Sequence, residues 1–190
     1  ANEGEFELAE KDYRKLTTFE ARAATGYELL SSFYARNGKL DEAAAALEEA
    51  IGAYPENLRL KRMLMKTLFL RGKPQDRERA GAMLASLEKR LPQDPELMKL
   101  RAVQMLDESR TQETLDAAGA LLEKAIKFEP TAVDAQLLLI SIRMQQKNYE
   151  AARDAAIRAL GSNPKNLALL TARGRAELAL HNTTLAAELA

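Results

Sequence analysis

No cysteine occurs in the 190 residues. Disulfides, thiolate catalysis and cysteine-held metals are therefore excluded. The compartment stays open, since a cysteine-free chain suits the cytoplasm and the periplasm alike. Tryptophan is absent and aromatics make up 5%; the abundant small side chains suit closely packed helices. The single histidine is His181. Acid–base catalysis usually draws on a histidine or a convergent titratable pair. Ser31, Ser32, Ser86, Ser109, Ser141 and Ser162 have no histidine near them in sequence. No glycine-rich phosphate loop and no clustered His/Asp/Glu spacing occurs. We expect no enzyme, no cofactor and no metal, with His181 a solvated turn residue. Nor is there an excess of one charge. Lys+Arg and Asp+Glu are 28 each, whereas a nucleic-acid-seeking domain is usually basic, so no nucleic-acid partner is expected. The longest apolar run, about Leu137 to Ile142, is far short of the roughly 18 residues of a membrane helix, so we expect no direct membrane insertion. The first residues show no signal-peptide pattern, a targeting signal being expected outside this piece, and we expect no Gly/Ser linker and no domain boundary.

What the chain has in quantity is alanine and leucine, and they recur. Ala9, Ala43, Ala80, Ala118, Ala152 and Ala186 follow one another at steps of 34, 37, 38, 34 and 34 residues. Repetition at such a period marks a repeat architecture. Four residues on lie Tyr13, Leu47, Leu84, Leu122 and Ala156; seven residues on lie Leu16, Ala50, Leu87, Ala125 and Ala159. Offsets of four and seven share one helical face. Alanine suits a place where two helix backbones must approach closely. Twelve residues after the inner alanines stand Pro55, Pro92, Pro130 and Pro164, which cannot continue a helix and pre-set φ for the next.

Helix signals follow the same sentence. The pattern predicts helices over Glu5–Thr18, Ala21–Arg36, Leu40–Tyr54, Asn57–Arg71, Pro74–Arg90 and Pro95–Glu108. Further helices are expected to end at Phe128 and Gln146, and to span Tyr149–Leu160, Lys165–Leu180 and, truncated, Thr183–Ala190. Asn57 and Asp94 read as N-caps. Ser109 to Gln112 and Thr131 to Asp134 read as capping boxes. Two repeats carry three and four extra residues near the turn between paired helices. That is close to one helical turn, so the apolar face stays in phase. The helices starting near Pro74 and Thr111 are therefore expected to be longer at their N-termini.

This pattern resembles the tetratricopeptide repeat. Tyr27, Leu30, Ser31 and Tyr34 fill the aromatic, leucine, small and aromatic slots of a first helix. Gly38 sits at the turn, and Ala43, Leu47, Ala50 and Pro55 fill the second helix and its exit. Other units depart: Lys61 and Gln136 stand at the bulky aromatic slot, Met65 and Ile140 at the small slot, Arg101 and Arg173 at the leucine slot. The resemblance implies an all-α, right-handed superhelical solenoid of antiparallel helix pairs, about eleven helices in all. It forms a single domain over 1–190: a half repeat 1–23, repeats 24–57, 58–94, 95–132 and 133–166, and a truncated repeat 167–190. The chain reads as a piece of a longer array.

In that family the first helix of each pair lines a concave groove. The positions implied here are Glu28, Leu29, Ser32 and Arg36; Arg59, Arg62, Met63 and Lys66; Lys99, Leu100 and Val103; Leu137, Leu138, Ser141 and Met144; and Thr171 and Arg175. Leucine and methionine suit an adaptable surface, with arginine to meet carboxylates. The lysine-and-asparagine clamp of a chaperone-binding subgroup is not reproduced, because the matching positions lack asparagine. We expect a protein-interaction scaffold holding a partner peptide or amphipathic helix. Its setting would be a bacterial envelope or exopolysaccharide export assembly; the alternative is the recognition region of a larger enzyme such as a glycosyltransferase. Tyr13 and Leu16 at one end, and Leu180, Leu185 and Leu189 at the other, make neither end a polar cap, so end-to-end self-association is expected too.

Overall fold

A computed structural model describes residues 3–19 and 23–180. Among them are ten helices and no strand: α1 (Glu3–Leu16), α2 (Ala23–Arg36), α3 (Leu40–Ala53), α4 (Leu58–Arg71), α5 (Pro74–Arg90), α6 (Pro95–Glu108), α7 (Gln112–Phe128), α8 (Val133–Gln145), α9 (Tyr149–Ser162) and α10 (Leu167–Ala179). His181, Ala186 and the helix expected at Thr183–Ala190 lie outside the described residues. The chain groups into two compact units, Ala1–Arg90 and Leu91–Ala190.

In the first unit each of α1 to α5 packs on the next, and α2 also meets α4. In the second, α6 to α10 do the same, and α8 meets α10. Short loops between consecutive helices make each packed pair an antiparallel hairpin. The register alanines are the reason the pairs close: Ala43, Ala80, Ala118 and Ala152 are fully buried. So are Leu47, Leu84, Leu122 and Ala156 one turn on. Helices α5 and α7 have 17 residues against 14 in α3 and α9. The inserted turn therefore lengthens both helices without rotating their apolar faces.

The caps are partly as the sequence suggests. The Asn57 side chain accepts from the backbone N–H of Arg59 and Leu60 at 3.0 and 3.1 Å, and Asp94 from Leu97 at 3.1 Å. The two expected capping boxes do not form. Thr111, not Ser109, caps α7, accepting from the Thr114 N–H at 3.3 Å, while Ser109 ends α6. Ala132 starts α8 with no side-chain cap, and Asp134 instead accepts from the adjacent Ala135 N–H. Ser109 is extended, with φ −156° and ψ 152°, while Thr131 lies within a turn that ends before α8 begins.

In α6 the buried face holds Leu97, Leu100, Ala102 and Leu106. Arg101, at the leucine slot, stays at the half-buried edge and donates to Gln104 Oε1 at 2.8 Å. Burying an unpaired guanidinium is costly, so the helix presents neighbouring leucines instead.

The first unit begins with an aromatic contact. Phe6 stacks on Phe33 with centroids 4.7 Å apart, and Tyr13 lies 5.0 Å from Phe33. Beneath them the Tyr34 hydroxyl donates to Glu10 Oε1 at 2.7 Å and accepts from Arg14 Nη2 at 2.8 Å. Burial, then the Glu10 hydrogen bond, pushes the Tyr34 hydroxyl up to about 12. The same bond, with Arg14, holds the Glu10 carboxyl below its ordinary value. The contact is thus apolar in the middle and charge-assisted at its edge.

Candidate functional site

Helices α8 and α10 are both first helices of their repeats, and the space between them is a groove of about 730 Å³. Leu137, Ile140 and Met144 form one wall, and Leu167, Ala168 and Ala172 the other. Ser141, Thr171 and Arg175 supply its polar groups. The spacing explains the convergence. Residues 137, 140/141 and 144 recur at three and four, as do 168, 171/172 and 175, so each set forms one stripe. Val133 to Gln145 has apolar residues on several faces, and Leu138 turns the other way, against the α6–α7 core.

Chemically the groove has an apolar floor with one cation at its rim. Arg175 is exposed and makes no hydrogen bond or ion pair with the described residues. Thr171 is already engaged, its hydroxyl donating to the Leu167 carbonyl at 2.8 Å. Leu167 is 75% exposed, an unusual position for a leucine on a helix that buries others.

The structure therefore brings together Leu137, Ser141, Met144, Thr171 and Arg175. The sequence reading missed Ile140, Leu167, Ala168 and Ala172. Ile140 occupies a small-residue slot, and a larger side chain there projects to the groove edge. Leu167 immediately follows the Asn166 cap, whose side chain accepts from Leu169 N at 3.1 Å; its position before the regular stripe gave no periodic signal.

Two expected groove residues are not available to a partner. Leu100 is 3% exposed and belongs to the inward face of α6. Lys99 is buried as well, its ammonium ion-paired to Glu96 of its own helix and to Asp134 of α8. Burial would lower the Lys99 pKa, but the hydrogen bonds to Asp134 and Glu96 outweigh it and the pKa is raised. Lys99 is thus a charged tie between α6 and α8. Val103, half-buried on α6, is not part of the α8–α10 groove. The cause is the register of α6, which keeps Arg101 at the edge and turns its neighbours inward.

In the first unit, α2 and α4 carry the remaining positions. Leu29 and Arg36 are exposed, and Ser32 and Met63 half-buried. The Arg36 guanidinium turns back to the Ser32 carbonyl at 3.3 Å. Arg59 pairs with Glu28 across the two helices at 3.0 Å, so one of the expected cations is already neutralised. Lys66 is exposed with no ion pair among the described residues, and Arg62 is half-buried. At the far end Leu178 is 52% exposed and Leu180 half-buried, while Leu185 and Leu189 lie outside the described residues.

No described group of three or more His, Asp or Glu side chains could hold a metal, and no described helix is long and apolar enough to cross a membrane.

A family profile described as tetratricopeptide repeat matches residues 34–103 and 110–176, and a second of the same description matches residues 1–57. No curated protein matches the sequence. Among solved structures, a thermophilic TPR protein from Thermus thermophilus is similar at a TM-score of 0.72 and 16% identity, covering 88% of each chain. The APC/C hetero-tetramer Cut9–Hcn1 gives 0.73 and 19%, covering 98% of this chain and 36% of that one. The MamA protein gives 0.59 and 19%, with 87% of each chain covered.

Proposed function

Because the chain belongs to the tetratricopeptide repeat family, whose repeats serve protein–protein interaction, we propose that it is a scaffold segment whose α8–α10 groove holds a partner peptide or amphipathic helix. The observation that carries this reading is the groove itself: an apolar floor with a guanidinium at the rim, Arg175, that has no partner among the described residues. An apolar stripe at helical spacing fits the floor, and a partner carboxylate would meet Arg175. The α2–α4 face, with Leu29, Ser32, Arg36, Arg59, Arg62, Met63 and Lys66, is proposed as a second contact surface. The setting we favour is an assembly of the bacterial envelope or of exopolysaccharide export, where long alanine-rich arrays suit extended scaffolds.

Pull-down from the native organism, followed by calorimetry with the partner recovered, tests the groove. Leu137→Glu is expected to weaken that partner at least tenfold while circular dichroism stays helical. Arg175→Ala should weaken it about threefold, an interaction of the size expected for one rim charge. Unchanged affinity in Leu137→Glu would remove the groove from the function. End-to-end association of two copies is part of the same proposal; a strictly monomeric species in light scattering at high concentration would count against it.

A further inference from the structure

The slot that Tyr27 occupies in its repeat is not filled in the same way elsewhere. Tyr27 is half-buried between α2 and α3, and its hydroxyl donates to Glu49 Oε1 at 2.6 Å. In register, Tyr27 lies sixteen residues before Ala43 and Glu49 six residues after it. The same offsets from Ala152 fall on Gln136 and Arg158. Gln136 borders the slot without filling it. It is 5% exposed and folds back, its Nε2 donating to the Pro130 carbonyl at 2.6 Å. What remains is a hollow of about 180 Å³ among α7, α8 and α9, walled by Ile126, Pro130, Leu139, Ala155 and Ala159 and by the folded-back Gln136, with Arg158 and Ser162 as its exposed polar groups.

Its size matches one aromatic ring, since an engineered apolar cavity of about 150 Å³ holds benzene. Its charge is reversed relative to the Tyr27 slot. Where Glu49 accepts from a phenol, Arg158 offers a guanidinium that makes no hydrogen bond or ion pair with the described residues. The Lys61 slot of the first unit also leaves a hollow, of about 350 Å³. There, however, a lysine occupies the slot and Arg90 is already paired with Glu56 at 3.1 Å. Leu139 and Gln136 stand on a different side of α8 from the groove residues Leu137, Ser141 and Met144, so the hollow is separate from the proposed groove.

We propose that the α7–α9 hollow is a second recognition site, taking the aromatic side chain of a partner protein whose neighbouring residue is acidic. The ring enters the volume that Tyr27 fills in its own repeat. The adjacent carboxylate remains at the mouth and pairs with Arg158, where hydrogen bonds from Ser162 are also within the lining. A neutral or basic neighbour forfeits the charge pair, which gives the site its selectivity.

Amide-resolved NMR titration of the whole chain with acetyl-Phe-Asp-amide tests this. Saturable shifts are expected at Leu139, Ala155 and Arg158, with a Kd of about 1 mM, as one buried ring and one exposed ion pair would give. Acetyl-Ala-Asp-amide should give none, and acetyl-Phe-Asn-amide should bind at least threefold more weakly. Gln136→Tyr, which restores the ring that Tyr27 supplies, should abolish the shifts while its melting temperature stays at or above that of the wild type. Arg158→Glu, at an exposed site that leaves the fold intact, should weaken binding at least fivefold. Shifts that persist in Gln136→Tyr, or their absence in the wild type, would overturn the site. Equal binding of the Asn peptide would overturn the role of Arg158. Benzoate binding as tightly as the peptide would assign the hollow to a free aromatic acid and overturn the protein-partner reading.

Discussion

Leu100→Glu is expected to lower the melting temperature by about 10 °C or more. Leu100 is 3% exposed on the inward face of α6, so the new carboxylate would be taken out of water. Removal of the leucine loses its transfer and packing free energy, and burial of an unpaired charge adds to the cost. Together these come to about 4 kcal/mol or more, the size reached only by core disruption. At about 2–4 °C per kcal/mol for a chain of this length, the shift is well outside error in a thermal melt followed by circular dichroism. Leu137→Glu is the paired control. Leu137 is half-buried beside the groove, and its glutamate can reach solvent, so the shift should be about 3 °C or less. If Leu100→Glu melts with the wild type, the inward face of α6 is wrong and Leu100 returns to the binding surface. The pair of melts decides whether a binding defect seen on α6 reports a contact or a lost fold.

Gly26→Ala should release α1 from the first unit. A Cβ built at Gly26 would lie 2.4 Å from both the carbonyl carbon and the oxygen of Leu16, and 2.7 Å from Thr17 N. All three are backbone atoms, so no side chain can swing aside. The end of α1 is itself fixed, with the Thr17 and Thr18 hydroxyls donating to the carbonyls of Arg14 and Lys15. The helix must move as a body, and the Phe6–Phe33 and Tyr13–Phe33 contacts and the Glu10–Tyr34–Arg14 hydrogen bonds go with it. Steric cost and lost contacts together amount to about 2–4 kcal/mol. Hydrogen exchange is the direct measurement. Amides of α1 should exchange at least tenfold faster in the variant, while α8 to α10 keep wild-type protection. Unchanged protection in α1 would mean that its docking tolerates the methyl group and that the close approach is not what seats it.

The sequence was most informative where a constraint is local or repeated. Ala43, Ala80, Ala118 and Ala152 announced buried crossings because only a small side chain permits them, and all four are fully buried. Pro74 and Pro95 began the helices they were expected to begin. The extra turn in α5 and α7 followed from the near-match of three or four residues to the helical period. The sequence was misleading where several local solutions compete. Ser109 and Thr131 carry good capping chemistry, yet Thr111 caps α7 instead and α8 starts after Ala132 with no side-chain cap. Lys99 looked like a rim cation because lysines usually are; its burial depends on Asp134, 35 residues away.

By itself, the sequence determined the all-α class, the helix pairs, their length and their family, because repeat period, small-residue register and proline exits act over a few residues. The tertiary structure alone decided which first-helix residues stay on the surface. It turned Leu100 and Lys99 inward, joined Leu137 and Met144 to Leu167 and Arg175 across two helices, and opened a hollow where Gln136 folds back onto Pro130. The reason is physical. A helix shows its period in its own residues, but its rotation about its axis is set by what its neighbours will accept in the interior. In α6 the interior accepted Leu97, Leu100, Ala102 and Leu106 and left Arg101 at the half-buried edge.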